Sequence, residues 1–494
     1  MESLKQIIKD LSRHEVYLLR NLLKQQVNGC LGKRIQLFDL IRKKENPSEI
    51  EAAMILYKDK PNSAFCHLKK RLKGDLLNFL FLNNFIENNS NDNCSGAKSV
   101  FYKSLLFSQI FSAKNIPHEV SLLQKSMEEI AGQHEFPLEK LLMLEETILQ
   151  QNEIDTMEEA GKVVRFIDEQ CVSYKQIFMA KFYCKKLYHA AIHSGQCEID
   201  DIEKTLEVIY GLKRLSEDQN LLTAKFWYCF LHSIYNWIFI SSTKALEKAN
   251  EAIDVILENP EKFTGENLSN IKTHIAVLYL CNGDTTSAAK YINHSALLRS
   301  SGHVVYLEAV DVSIQLCFCK DNLKEAEKII RQEILRHKKK DDGFEFSKWK
   351  YYQACIEFAK GNYKNSLCLL MDKQEYCKGK SPKFILGLKL LEQMNLIELG
   401  KYDLMEYKIG AFKQLLKRTK SKNLNRYKLI CKQLDELTKT GYDFVAMIKK
   451  QKTDIVSLEM QFGKCKWEPF SYEMIRFEKW LLAKVHNLKV LSKK

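Results

Sequence analysis

The stretch Ile271 to Leu297, IKTHIAVLYLCNGDTTSAAKYINHSAL, constrains the fold more than any other part of the chain. Its small and large residues fall where two antiparallel helices must meet. Ala276 admits a close neighbour, Tyr279 fills the gap beside it, and Ala288 sits at the crossing with Ile292 one turn further on. Between them, Gly283 ends the first helix, because glycine takes left-handed backbone angles without a Cβ penalty. Asp284 then caps the second.

The same spacing recurs. Aligned on the crossing residue, the chain gives Ala245, Ala288, Ala326, Ser366 and Met405, at intervals of 43, 38, 40 and 39. Five positions earlier, at the expected inter-helix turn, stand Ile240, Gly283, Asp321, Gly361 and Gly400. Met405 in place of a small residue predicts wider helix spacing in that pair. The order small residue, aromatic, Gly, Ala, large apolar resembles a degenerate tetratricopeptide repeat, whose standard period of about 34 is exceeded here. The family's Trp and its terminal Pro are mostly missing, although Pro260 ends one repeat. The resemblance implies an all-α chain: an N-terminal helical bundle, then a tetratricopeptide-like α-α solenoid over 98–420, then C-terminal helices over 421–494 that cap it. Three or four further pairs are expected within 98–240.

Composition agrees with an all-helical reading. Seven prolines and nineteen glycines in 494 residues are too few to punctuate a sheet-rich fold of this length. The fifteen cysteines lie within apolar helical patterns, as at Cys229, Cys281, Cys317 and Cys355, and no secretory pattern precedes them. They read as small hydrophobes in a reducing cytoplasm. The most apolar run, Phe226 to Ile240, is interrupted by His232, Ser233 and Asn236 and is shorter than the roughly 20 residues a membrane span needs, so it reads as a buried repeat helix. The net charge of +14 is uneven: residues 1–86 carry 16 Lys/Arg against 9 Asp/Glu, and 401–494 carry 22 against 10, around a slightly acidic middle. Such asymmetry suits an acidic partner or nucleic acid, and solvated lysine-rich helix faces produce it too.

Residues 1–86 read as a basic helical domain. Ser12-Arg-His-Glu15 and Ser48-Glu-Ile-Glu51 have capping-box spacing, and Ser63 is placed to cap a long helix running to about Phe85. A short turn followed by a helix bearing Lys69, Lys70, Arg71 and Lys73 resembles a helix-turn-helix, which makes these four the candidate nucleic-acid contacts. The segment also resembles the N-terminal region of uncharacterised bacterial helical-repeat proteins. Residues 87–97, ENNSNDNCSGA, lack apolar periodicity and read as a linker.

Chemical motifs are weak. Gly29-Cys-Leu-Gly32-Lys33 has its glycines three apart and Arg34 where a phosphate loop needs Ser or Thr. His189 and His193 would lie one turn apart on a helix and suit a metal, but Ala190 stands where a zinc hydrolase needs Glu, so they read as helix-end histidines. Cys317 and Cys319 point to different sides of one helix. No nucleophile, base and orienter share a pattern, so no catalytic residue, metal or cofactor is expected.

In tetratricopeptide-like arrays the first helix of each pair lines a concave groove. The resemblance therefore implies a peptide-binding groove formed by Asn270, Thr273 and Val277, then Glu308, Asp311 and Gln315, then Lys348, Tyr351 and Phe358, and finally Met394. Thr273 and Val277 replace the residues that clamp a peptide carboxylate in chaperone-binding members, which disfavours chaperone tails. The function expected is a non-enzymatic scaffold binding a protein or peptide. The alternative is a regulator whose 1–86 domain binds nucleic acid while the repeats sense a partner.

Overall fold

The computed structural model describes residues 2–25, 32–43, 47–87, 93–150, 157–191, 199–295, 303–337, 343–371, 382–419, 424–460, 463 and 465–491. Among them there is no strand, and 24 helices account for the fold. The chain divides into two compact units, Met1–Ile130 and Ala131–Lys494.

The first unit holds α1 (Glu2–Asp10), α2 (Arg13–Gln25), α3 (Lys33–Lys43), α4 (Glu49–Tyr57), α5 (Ser63–Glu87), α6 (Asn93–Ala113) and most of α7 (Pro117–Gln133). Both capping boxes form. Ser12 Oγ accepts from the Glu15 N–H while Glu15 Oε2 accepts from the Ser12 N–H, and Ser48 and Glu51 repeat the exchange. At α5 the cap is Asn62, one residue before the expected Ser63, with Asn62 Oδ1 accepting from Phe65 N–H at 3.0 Å. Leu19, Phe38, Phe65, Leu72 and Leu76 fill the core between α2, α3 and α5. Asn93 to Ala97, which read as linker by composition, open α6. Cys94 and Phe101, two turns apart, are both buried and hold that end in place.

The second unit opens with α8 (Pro137–Gln150), α9 (Met157–His189) and α10 (Ile199–Asp218). Five helix pairs follow: α11 (Leu222–Phe239) with α12 (Ser242–Glu258), α13 (Gly265–Cys281) with α14 (Thr285–Ser295), α15 (His303–Cys319) with α16 (Leu323–His337), α17 (Gly343–Ala359) with α18 (Tyr363–Met371), and α19 (Pro382–Glu398) with α20 (Tyr402–Arg418). The end is formed by α21 (Asn425–Lys439), α22 (Phe444–Lys450), α23 (Lys452–Glu459) and α24 (Phe477–Leu491). This is a tetratricopeptide-like array.

The register read from sequence is the register of the fold. Ala245, Ala288, Ala326, Ser366 and Met405 are all 0% exposed. Four of the turn residues are left-handed, with φ of 81° at Gly283, 54° at Asp321, 82° at Gly361 and 66° at Gly400. Each closes its helix with the same backbone bond five residues back: Asp284 to Tyr279, Asn322 to Cys317, Asn362 to Glu357 and Lys401 to Leu396, all at 2.9 Å. That bond satisfies carbonyls a helix end would otherwise leave bare. At Ile240 a β-branched residue resists left-handed angles and φ is −121°, yet Ser241 N–H still reaches the Asn236 carbonyl at 2.8 Å, and the Ser241 hydroxyl accepts from Lys244 N–H. Gly441, with φ of 61°, repeats the left-handed closure between α21 and α22, with Tyr442 N–H on Leu437 carbonyl. The series therefore runs one pair beyond Met405.

Close approach at the crossings is visible in hydrogen bonds from a side chain of one helix to the backbone of its pair. Ser233 Oγ donates to Ala245 carbonyl at 2.7 Å, and Ser366 Oγ to Ala354 carbonyl at 2.8 Å. Larger residues there would push the helices apart. Replacing Ala288 by Leu should therefore cost about 1–3 kcal/mol through overpacking. Urea unfolding of the purified variant measures this, and an unchanged midpoint would mean that the helices do not meet at Ala288.

Candidate functional site

The residues expected to line an open groove do share one face, but most are covered. On α13, Thr273 and Val277 are buried and Asn270 is half-buried. Glu308 belongs to α15, and its side chain lies outside the described residues. Asp311 is half-buried, whereas Gln315, Lys348, Tyr351, Phe358 and Met394 are buried. Two of them pair with each other, Lys348 Nζ lying 2.7 Å from Asp311 Oδ2. At Gln315 and Tyr351 the cover is the chain's own segment from Cys465 to Arg476, between α23 and α24, whereas Val277 is part of the packing between repeat helices.

That segment touches the first helices of successive pairs. Lys466 Nζ donates to Cys281 carbonyl at the end of α13, at 2.9 Å. Gln315 of α15 donates to Met474 Sδ. The Tyr351 hydroxyl of α17 donates to Tyr472 carbonyl, and the Tyr427 hydroxyl of α21 to Ser471 carbonyl. Burial pushes both phenols well above their ordinary range, so both remain donors. On α19, the Phe384 ring meets Tyr472 edge-on at 5.2 Å. Gly387 lies directly beneath, where a Cβ would collide with the Tyr472 carbonyl. Tyr472 itself holds a left-handed φ of 61°, an uncommon angle for a tyrosine, fixed by these contacts from both sides.

Arg426, buried at the start of α21, anchors the segment. Its Nε and Nη2 form a fork on Glu473 at 2.6 and 2.7 Å, and Nη2 also reaches Glu478 at 2.5 Å. Nη1 donates to the carbonyls of Leu458 and Cys465, so all five N–H groups of the guanidinium are engaged. Arg476 Nε donates to the other oxygen of Glu478, which leaves two cations facing two carboxylates. Burial pushes the Glu473 carboxyl up, against the pull of Arg426. Glu473 also accepts from Phe477 N–H at 2.9 Å and so starts α24.

Beside the segment a cavity of about 640 Å³ remains. One wall is the edge formed by the turns of three successive pairs, at Gly283, Asp321 and Ala359; the other is the segment from Lys466 to Trp480. Phe318, Phe358, Tyr363, Trp467 and Trp480 supply aromatic surface. Lys466, Arg476 and Lys479 supply positive charge, against Asp321 as the one acid of the lining. Arg476 lies 5.1 Å over the Trp467 ring. Trp480 is fixed by its Nε1 on Glu398 at 2.6 Å. Two thiols border the cavity, and burial pushes Cys281 up to about 12 and raises Cys319 as well. Neither is a thiolate nucleophile at neutral pH.

Elsewhere, no group of three or more His, Cys, Asp or Glu among the described residues is placed to hold a metal. His189 ends α9, whereas His193 and Cys197 lie outside the described residues, as does Gly29 of the glycine pair. No helix among the described residues is long and apolar enough to cross a membrane. On α5, Lys69 is taken up by an ion pair with Glu49 and by the Phe65 ring, while Lys70, Arg71 and Lys73 are exposed.

No protein-family model matches the chain, and no curated protein matches it in sequence. Among solved structures it is similar to NprR in complex with its cognate peptide NprX, at 11% identity over 74% of this chain and 99% of that one, with a TM-score of 0.42. It is also similar to the apo form of RapI, at 11% identity over 78% and 98%, with a TM-score of 0.43. A tetratricopeptide repeat protein from Parabacteroides merdae aligns at 13% identity over 69% and 98%, with a TM-score of 0.34.

The geometry makes the segment's attachment testable. Arg426→Met should leave two buried carboxylates short of a partner and cost about 3–5 kcal/mol in urea unfolding. Gly387→Ala should lift Tyr472 off α19, so that limited proteolysis cuts between 463 and 476 faster than in the parent protein while helical circular dichroism is kept. An unchanged cleavage rate would mean the close approach at Gly387 is not needed.

Proposed function

We propose that this chain is a non-enzymatic scaffold whose helical repeats bind a protein or peptide partner, and that the partner enters the cavity beside the C-terminal segment. The observation that carries this reading is the cavity itself. Its volume and mixed aromatic and charged walls are those of a recognition pocket, and it runs past three successive turns, which suits an extended chain better than a compact metabolite. The buried thiols, both raised by desolvation, favour binding over chemistry. Phe318→Ala with Tyr363→Ala removes two walls that are only half-buried. Affinity capture from native cells should recover a partner with the parent chain and lose it with this double variant. An identical set of captured proteins from both would overturn the cavity as the partner site.

A second reading is favoured by one observation in the first unit: Lys70, Arg71 and Lys73 are exposed within a 25-residue helix. Under this reading the unit contacts nucleic acid, with the phosphates neutralised by those three side chains. Fluorescence anisotropy with a labelled duplex should then show affinity falling with salt at a log–log slope of roughly −0.9 per phosphate contacted. The slope should flatten in the Lys70→Ala, Arg71→Ala, Lys73→Ala variant. Absence of binding at low salt would remove this reading.

A further inference from the structure

We infer that the cavity recognises an acidic peptide segment, with one carboxylate seated between Arg476 and Lys479 and a neighbouring aromatic or aliphatic side chain packed among Phe318, Phe358 and Trp480. This rests on the scaffold reading above and names the chemistry of its partner. Three cations against one acid make the cavity positive, and they are not equally available. Lys466 already donates to Cys281 carbonyl. Arg476 spends its Nε on Glu478, which leaves the Nη edge of its fork, and Lys479 is exposed with no ion-pair partner among the described residues. One guanidinium edge and one ammonium match the two oxygens of a single carboxylate. The Trp467 ring 5.1 Å from its guanidinium and the bond to Glu478 restrict Arg476 before any ligand arrives, so less freedom is lost on binding. The aromatic walls favour a carboxylate carried on an apolar body over a bare anion.

The test uses the full chain and acetyl-Phe-Glu-Leu-amide, its neutral twin acetyl-Phe-Gln-Leu-amide, and 2-naphthoate as a small acid, all by isothermal titration calorimetry. The Glu peptide should bind at least fivefold tighter than the Gln peptide at low salt, and raised salt should narrow the gap. Lys479→Glu alters an exposed position, so its fold should be kept; it should weaken the Glu peptide about tenfold and leave the Gln peptide unchanged. Arg476→Lys keeps the charge but removes the fork and should also lower affinity for the Glu peptide. Equal affinity for the two peptides, binding of 2-naphthoate alone, or no binding of any probe at millimolar concentration would each overturn the inference. Partner capture that survives Lys479→Glu would sink the acidic ligand while leaving the scaffold reading intact. Partner loss in the Phe318→Ala, Tyr363→Ala variant, together with the Glu preference, would support both.

Discussion

The buried guanidinium of Arg426 is the interaction on which the second unit's inner face depends. A lone charge in that position would be untenable, because desolvation of an ion in a protein interior costs several kcal/mol. Arg426 is tolerated because Glu473, Glu478 and two backbone carbonyls satisfy every N–H it carries. The dependence also runs the other way. Glu473 and Glu478 are themselves buried, so the segment and the start of α24 that carry them can sit only where Arg426 waits. One electrostatic match thus fixes the course of residues 463–476, and that course decides which parts of the repeat array meet solvent.

Which parts of this were legible in the sequence follows from the range of each signal. Turn geometry is local, so Gly283, Gly361 and Gly400 announced left-handed closures from their own neighbourhoods, and even Asp321 was recovered by spacing alone. Asp tolerates that region because its short polar side chain bonds locally. Gly441 and Ala446 keep the five-residue offset in the sequence, but Ala446 is exposed and Met447 holds the buried position, so this pair departs from the others at its crossing. Asn93 to Ala97 read as linker because polar composition outweighed the single pair Cys94 and Phe101.

The groove residues show a different limit. The resemblance to tetratricopeptide arrays implied a shared groove for Gln315, Lys348 and Tyr351, and all three are buried in the structure. Periodicity reports which side chains share a face and is silent on what lies over it. The cover comes from more than a hundred positions away and is not helical, so it leaves no periodic trace. Two residues did carry a signal. Gly387 interrupts a run of large apolar residues in α19, and a glycine inside a buried helix marks the close approach of another backbone. Arg426 lies on the apolar side of α21, where an arginine demands a buried acid.

The same energetics decide whether the segment is a ligand that a partner displaces or a fixed wall. Lifting it would strand Arg426 away from its carboxylates at a cost of about 3–5 kcal/mol. It would also expose Phe470, Tyr472 and Met474, all buried, at about 1.5–3 kcal/mol for each large apolar side chain. Together these come to about 7.5–14 kcal/mol, as much as or more than the roughly 8 kcal/mol that a micromolar peptide affinity represents. A partner of ordinary strength that displaced the segment would spend most or all of its binding free energy doing so. The segment therefore acts as a wall, and the recognition proposed above falls at the edge where the turns stop short of it. The cations of that edge, Lys466, Arg476 and Lys479, belong to the wall and its junction with α24, so the C-terminal region closes one surface and builds the next.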